Sequence, residues 1–106
     1  MRDSLKESWD KFSLIEQMGN IGSEIGRAAR LEGGDSDGFG SAVNRALELF
    51  DLTLRDGRWL GRLREVGRAR EVFCDIIWGE NQYKISLSDL ERYFMHFATA
   101  ARLRAG

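Results

Sequence analysis

The sequence predicts an all-α protein, an antiparallel four-helix bundle of up-down-up-down topology, with room for an extra short helix at the N-terminus. Three observations carry that expectation. Proline is absent, so no helix is broken by a residue that lacks an N–H and clashes with the preceding turn. Glycine, present 12 times, supplies the breaks instead, at Gly33-Gly34, Gly38, Gly40, Gly57, Gly79 and Gly106. Between them lie four stretches in which apolar residues recur at helical spacing. The 106 residues make one domain, 1–106, large enough to bury a core without staples. Apolar residues make up 42% and charged residues 31%, the balance of a folded globular chain and not of a disordered tail.

The first helix is expected over about 13–31. Ser13 followed by Glu16 forms a capping box, and Leu14, Met18, Ile21, Ile25 and Ala28 form one apolar stripe. Leu5, Trp9 and Phe12 keep the same spacing, so residues 4–12 either extend this helix or form a short one of their own. The second helix starts near Ser36-Asp37 and ends near Asp56-Gly57, with Phe39, Val43, Ala46, Leu47, Phe50 and Leu54 on one side. The third runs from Arg58 to Trp78 on Trp59, Leu63, Val66, Phe73 and Ile77, and Gly79 stops it. Ser86 with Asp89 opens the fourth, whose stripe is Leu87, Leu90, Phe94, Phe97 and Ala101. Arg102 and Arg104 suit the negative end of its dipole. Tyr83-Lys84-Ile85 alternates like a strand but is too short to be one, and reads as a loop.

Charge and cysteine content exclude several functions. Sixteen Lys+Arg against seventeen Asp+Glu leave a net charge of −1, so neither nucleic acid nor a membrane surface is an expected partner. With Cys74 alone, no internal disulfide and no thiolate metal site can form, and no cofactor is expected. No apolar run is long enough to span a bilayer, and the charged start MRDSLKESWDKF is unlike a secretory signal, so the chain is expected in the cytoplasm.

Three features depart from a plain amphipathic pattern. Gly19, Gly22 and Gly26, extended by Ala29, line one edge of the first apolar stripe, where each glycine costs about 1 kcal/mol relative to alanine. Such a row serves close approach of another helix, either within the bundle or across a dimer. Arg70 falls within the apolar stripe of the third helix. Either it is buried in an ion pair with Glu24, Glu48 or a second chain, or it reaches water at the bundle edge along its stem. The third feature is a set of carboxylates at helical steps: Glu16 and Glu24, Glu48 with Asp51, and Glu71 with Asp75. Facing carboxylates hold Mg²⁺ in all-helical pyrophosphohydrolases of the MazG kind, which carry a Glu-x-x-Glu pair before a Glu-x-x-Asp pair. Among these carboxylates only Glu48-Leu-Phe-Asp51 has that form, and solvated helix faces account for the rest.

Nucleophilic catalysis finds little footing, since Cys74 follows Phe73 in an apolar surround and His96 is the one histidine. The third helix is locally basic through Arg58, Arg62, Arg64, Arg68 and Arg70, against Glu65 and Glu71.

The phrases SLIEQMGNIGSEIGRAAR (13–30), RALELFDLTL (45–54), RLREVGRAREVFCD (62–75) and LERYFMHFATAAR (90–102) resemble a family of small uncharacterised bacterial and archaeal all-helical proteins. That resemblance spans nearly the whole chain and implies no activity. A weaker similarity is to the HEPN superfamily, helical and often dimeric domains that serve as ribonucleases or nucleotidyltransferase partners in toxin–antitoxin systems. Their signature is Arg, four to six residues, then His, whereas Arg92-Tyr-Phe-Met-His96 leaves three residues between.

The sequence therefore reads as an interaction or accessory module, homodimeric and open to a protein partner. A HEPN-like ribonuclease or nucleotidyltransferase partner is the alternative, and a MazG-like hydrolase the third. The expected partner contacts are Leu52 on the polar side of the second helix, Met95 and Leu103 on the fourth, and Trp9, with Phe12 and Trp78 at the stripe edges. Asp89, Arg92 and His96 share one strip of the fourth helix, away from its core stripe. As a catalytic pair, Arg92 would hold a phosphate while His96 moved a proton. As plain surface, Asp89 and Arg92 form an exposed ion pair beside a solvated His96.

Overall fold

The computed structural model describes residues 9–105, with side chains other than those at 60, 62, 98 and 100–105. It is an all-helical bundle of four main helices: α1 (Leu14–Leu31), α2 (Ser36–Leu54), α3 (Leu63–Trp78) and α4 (Leu87–Ala105). No strand occurs among the described residues. No helix among them is long and apolar enough to cross a membrane. The expected short N-terminal helix falls largely outside the described residues, although Trp9 and Asp10 have helical backbone.

Local chemistry sets each helix start. Ser13 caps α1 through its hydroxyl, which accepts the Glu16 N–H at 3.1 Å, while the Ser13 N–H donates to Glu16 Oε1 at 2.9 Å. Asp35 caps α2 by accepting the Gly38 N–H at 3.0 Å. Ser86 and Asp89 repeat the reciprocal box at the start of α4, both bonds being 3.1 Å. The Tyr83-Lys84-Ile85 segment is a loop, shaped by left-handed Asn81 (φ 52°) and Lys84 (φ 54°).

The second and third helices differ at their junction from the sequence expectation. α2 ends at Leu54, and the first turn expected of the third helix is a 3₁₀ turn over Gly57–Arg62, kinked at Trp59. The cause is Asp56, whose carboxylate captures the Arg58 N–H and side chain and so starts a tighter turn before α3 begins.

Side-chain contacts fix the topology. Gly22 lies against Phe94 and Gly26 against Glu91, so α1 and α4 run antiparallel. Gln17 reaches Asp56 beyond the end of α2, while Leu31 meets Gly38 near its start, so α1 and α2 are antiparallel too. Phe50 on α2 joins the core to both Phe73 on α3 and Phe94 on α4, with ring centroids 5.9 and 5.8 Å apart. These three rings, with Met18, Ile21, Ile25, Val66 and Leu87, are fully buried. Each such side chain contributes about 1.5–3 kcal/mol relative to exposure.

The α1–α4 contact is the tightest in the bundle. A Cβ built at Gly22 would stand 2.5 Å from Phe94 Cβ, closer than real side chains come. The glycine row thus serves as a seam within the bundle. At Gly26 the obstruction is the Glu91 carboxylate, the free end of a flexible side chain.

A polar corner closes the other end. Gln17 is fully buried and spans three elements: its amide donates to Trp9 O at 2.9 Å and its Oε1 accepts the Trp59 indole N–H at 3.0 Å. The Trp9 indole donates to buried Thr53 at 2.9 Å. Arg58 grips Asp56, donates to Phe12 O at 3.0 Å and lies 4.4 Å from the Trp59 ring. Trp9, expected from sequence at a partner surface, is only 3% exposed. That expectation is corrected: the ring is core, held by its own N–H.

Arg70 is half-buried, and its ion pair is with Asp51 at 2.9 Å. The sequence-proposed partners are engaged elsewhere, Glu24 with Arg27 and Glu48 with Arg45, each three residues away on the same helix. Cys74, expected in an apolar surround, is half-buried with the Arg70 guanidinium 3.7 Å from its sulfur.

Two outcomes follow for stability. Gly22→Ala should overpack by about 1–3 kcal/mol, exceeding the roughly 1 kcal/mol gained in helix propensity, and lower the melting temperature. Gly26→Ala, which displaces only a mobile carboxylate, should melt at or above wild type in the same calorimetric scan. The hydrogen bonds from the Arg58 side chain are the main cause that holds the Asp56 carboxyl down to about 2 from an ordinary 3.8. Its contribution to stability is therefore complete above 3.8 and lost as the pH falls toward 2. Asp56→Asn should melt below wild type at neutral pH, and the gap should close across that acid window.

Candidate functional site

The third helix is tied to α2 through Phe73–Phe50 and Arg70–Asp51, but it stands apart from α4. Between α3 and α4 lies an open cleft of about 360 Å³, lined by Glu65, Arg68, Ala69, Val72, Ile85, Asp89, Leu90 and Tyr93. The floor is apolar, from Ala69, Val72, Ile85, Leu90 and the Tyr93 ring. The rim is charged, from Glu65, Arg68 and Asp89. This cleft follows from helix spacing: residues 65, 69 and 72 share one face of α3, and 89, 90 and 93 share one face of α4.

One polar bridge crosses it. The Tyr93 hydroxyl donates to Glu65 Oε1 at 2.5 Å. Burial, then the hydrogen bond to Glu65 and its negative charge, push the phenol well above the usual tyrosine range. Tyr93 also meets Phe94 and Phe97 edge-on, which fixes its ring as one wall.

The strip chosen from the sequence borders this cleft. Asp89 lies in its lining and holds Arg92 at 2.8 Å, with the arginine side chain 75% exposed. Hydrogen bonds within the Ser86 cap, first from its backbone, lower the Asp89 carboxyl. His96 is exposed one turn beyond Arg92. Both are open to solvent, and the guanidinium of Arg92 is shared with Asp89.

Of the expected partner contacts, Met95 is exposed on α4. Leu52 is half-buried at a second, more polar cleft of about 470 Å³ with Asp10, Arg55 and Arg58. The Leu103 side chain lies outside the described ones. Trp78, at the C-terminus of α3, is the most exposed of the large apolar side chains.

The carboxylates do not form a metal cage among the described residues, where no group of three or more potential ligands lies together. Asp51 is committed to Arg70 and Glu48 to Arg45, so arginines neutralise the Glu48–Asp51 pair.

No protein-family model, curated protein or solved structure matches this chain.

The cleft bridge can be followed optically. In a Tyr83→Phe background, ultraviolet titration should show the Tyr93 phenol ionising above the ordinary 10.0. Replacing Glu65 by Gln should bring that midpoint down, though not fully to 10.0, because burial is the larger cause.

Proposed function

We propose that the protein is a small helical interaction module that works as a homodimer and offers the α3–α4 cleft to the apolar face of a protein partner. The observation that carries this reading is the cleft itself, an apolar floor of Ala69, Val72, Ile85 and Leu90 inside a charged rim. Grooves of this build take amphipathic helices, whose apolar positions fill the floor while their flanks meet the rim charges. Exposed Trp78, Tyr83 and Met95 add apolar surface outside the cleft. The reading takes the module to be cytoplasmic, in keeping with a lone free cysteine.

Three measurements test it. Sedimentation equilibrium at tens of micromolar should give a dimer, and a monomer there would sink the homodimer. The fluorescent apolar probe anilinonaphthalene sulfonate should bind the folded protein, and Ala69→Trp, which fills the cleft, should abolish most of that signal. Mixed RNA incubated with wild type and His96→Ala at matched purity should survive equally in both. Cleavage lost in the variant would instead make Arg92 and His96 a ribonuclease pair.

A further inference from the structure

Arg64, Arg68, Glu71, Asp75 and Trp78 follow one another along α3 at steps of four, three, four and three residues. Steps of three and four residues keep all five on one face of the helix. These side chains are exposed, Asp75 alone being half-buried. Among the described residues the face has no counterpart in the bundle, because the core side of α3 is built from Val66, Ala69, Val72 and Phe73.

Its charges are ordered. Two arginines occupy the N-terminal half and two acids the C-terminal half. No ion pair among the described residues takes up Arg64, Arg68 or Glu71. The ends of the face also differ. Trp78 leaves its ring 65% exposed at the C-terminus. Beside the N-terminus, Gly61, Arg64, Glu65 and Arg68 surround a concavity of about 310 Å³. A methyl group added at Gly61 or Gly67 would meet nothing within 4 Å, so the face stays low there.

We infer that this face of α3 is the homodimer surface, and that its occupant is the same face of a second copy, laid antiparallel about a two-fold axis. The inference rests on the homodimer of the preceding reading and names its contact. Antiparallel pairing sets Arg64 of each copy opposite the other's Asp75, and Arg68 opposite the other's Glu71. In the same register each Trp78 indole reaches the other copy's concavity at Gly61, where the Arg64 and Arg68 guanidinia lie over its ring face. Every charge on the face then meets its opposite, as an isologous contact requires. A parallel pairing would oppose like charges throughout.

A charge-swap experiment decides the matter, with the full chain followed by sedimentation velocity. Arg64→Glu/Arg68→Glu and Glu71→Arg/Asp75→Arg should each raise the dimer dissociation constant by about tenfold or more, because cross-pairs become repulsive. An equimolar mixture of the two variants should restore a dimer, since all its cross-pairs are attractive. Arg27→Glu/Arg45→Glu, which shifts net charge equally on α1 and α2, should leave dimerisation unchanged. Trp78→Ser should weaken the dimer while circular dichroism stays at wild type, giving a readout free of charge reversal. A wild-type monomer would overturn both this inference and the homodimer. A wild-type dimer that survives each double substitution, or variants that fail to pair when mixed, would overturn the α3 face alone.

Discussion

The architecture depends on how closely α1 and α4 approach. Gly22 has no Cβ, and Phe94 occupies the space one would fill. That approach carries Phe94 into the centre, where its ring meets Phe50 of α2. On its other side α4 stands apart from α3. The remaining gap is bridged by Tyr93 and Glu65, and its apolar lining is the cleft. A helical glycine is unfavourable for its own helix, yet here it admits Phe94 to the core.

The polar corner secures α3 from its other end. Gln17 is buried without penalty because its amide meets a carbonyl, a carboxylate and an indole N–H. Through Trp59 it fixes the 3₁₀ turn that leads into α3, and Arg58 with Asp56 completes the clamp. The third helix is thus positioned by α2 and the corner, with one long side turned toward water. That arrangement leaves its ordered charges free for another molecule.

Much of the fold was legible because caps and stripes are local signals. Ser13 with Glu16 and Ser86 with Asp89 form the reciprocal hydrogen bonds their spacing implies. The glycine row could be read as a close helix contact, but which helix filled it required Phe94, distant in sequence. Trp9 misled because it precedes α1, where the helical spacing alone left its role open. Its burial comes from Thr53 and Gln17, and spacing along one helix cannot report a contact made across three elements. Arg70 was rightly singled out as an arginine on an apolar stripe. Its partner was not legible, since Asp51 faces it only once α2 and α3 are packed. The cleft had no sequence signal of its own, because Val72 and Leu90 read as ordinary core positions. The outer face of α3 was visible only as part of a basic helix, and its separation into an arginine half and an acidic half emerged once exposure and ion pairs set Arg70 apart from Arg64 and Arg68.

The hydrogen bond between Trp9 and Thr53 joins positions 44 residues apart. The first described turn therefore has its full set of partners only once α1, α2 and the 3₁₀ turn are together. The reverse event is local. Undocking residues 9–12 hands the Thr53 hydroxyl and part of the Gln17 amide to water, at about 0.5–1.5 kcal/mol for each hydrogen bond exchanged, while the Gly22–Phe94 contact stays intact. Opening confined to this corner leaves the Phe50–Phe73–Phe94 core assembled, so the two parts of the molecule can come apart separately.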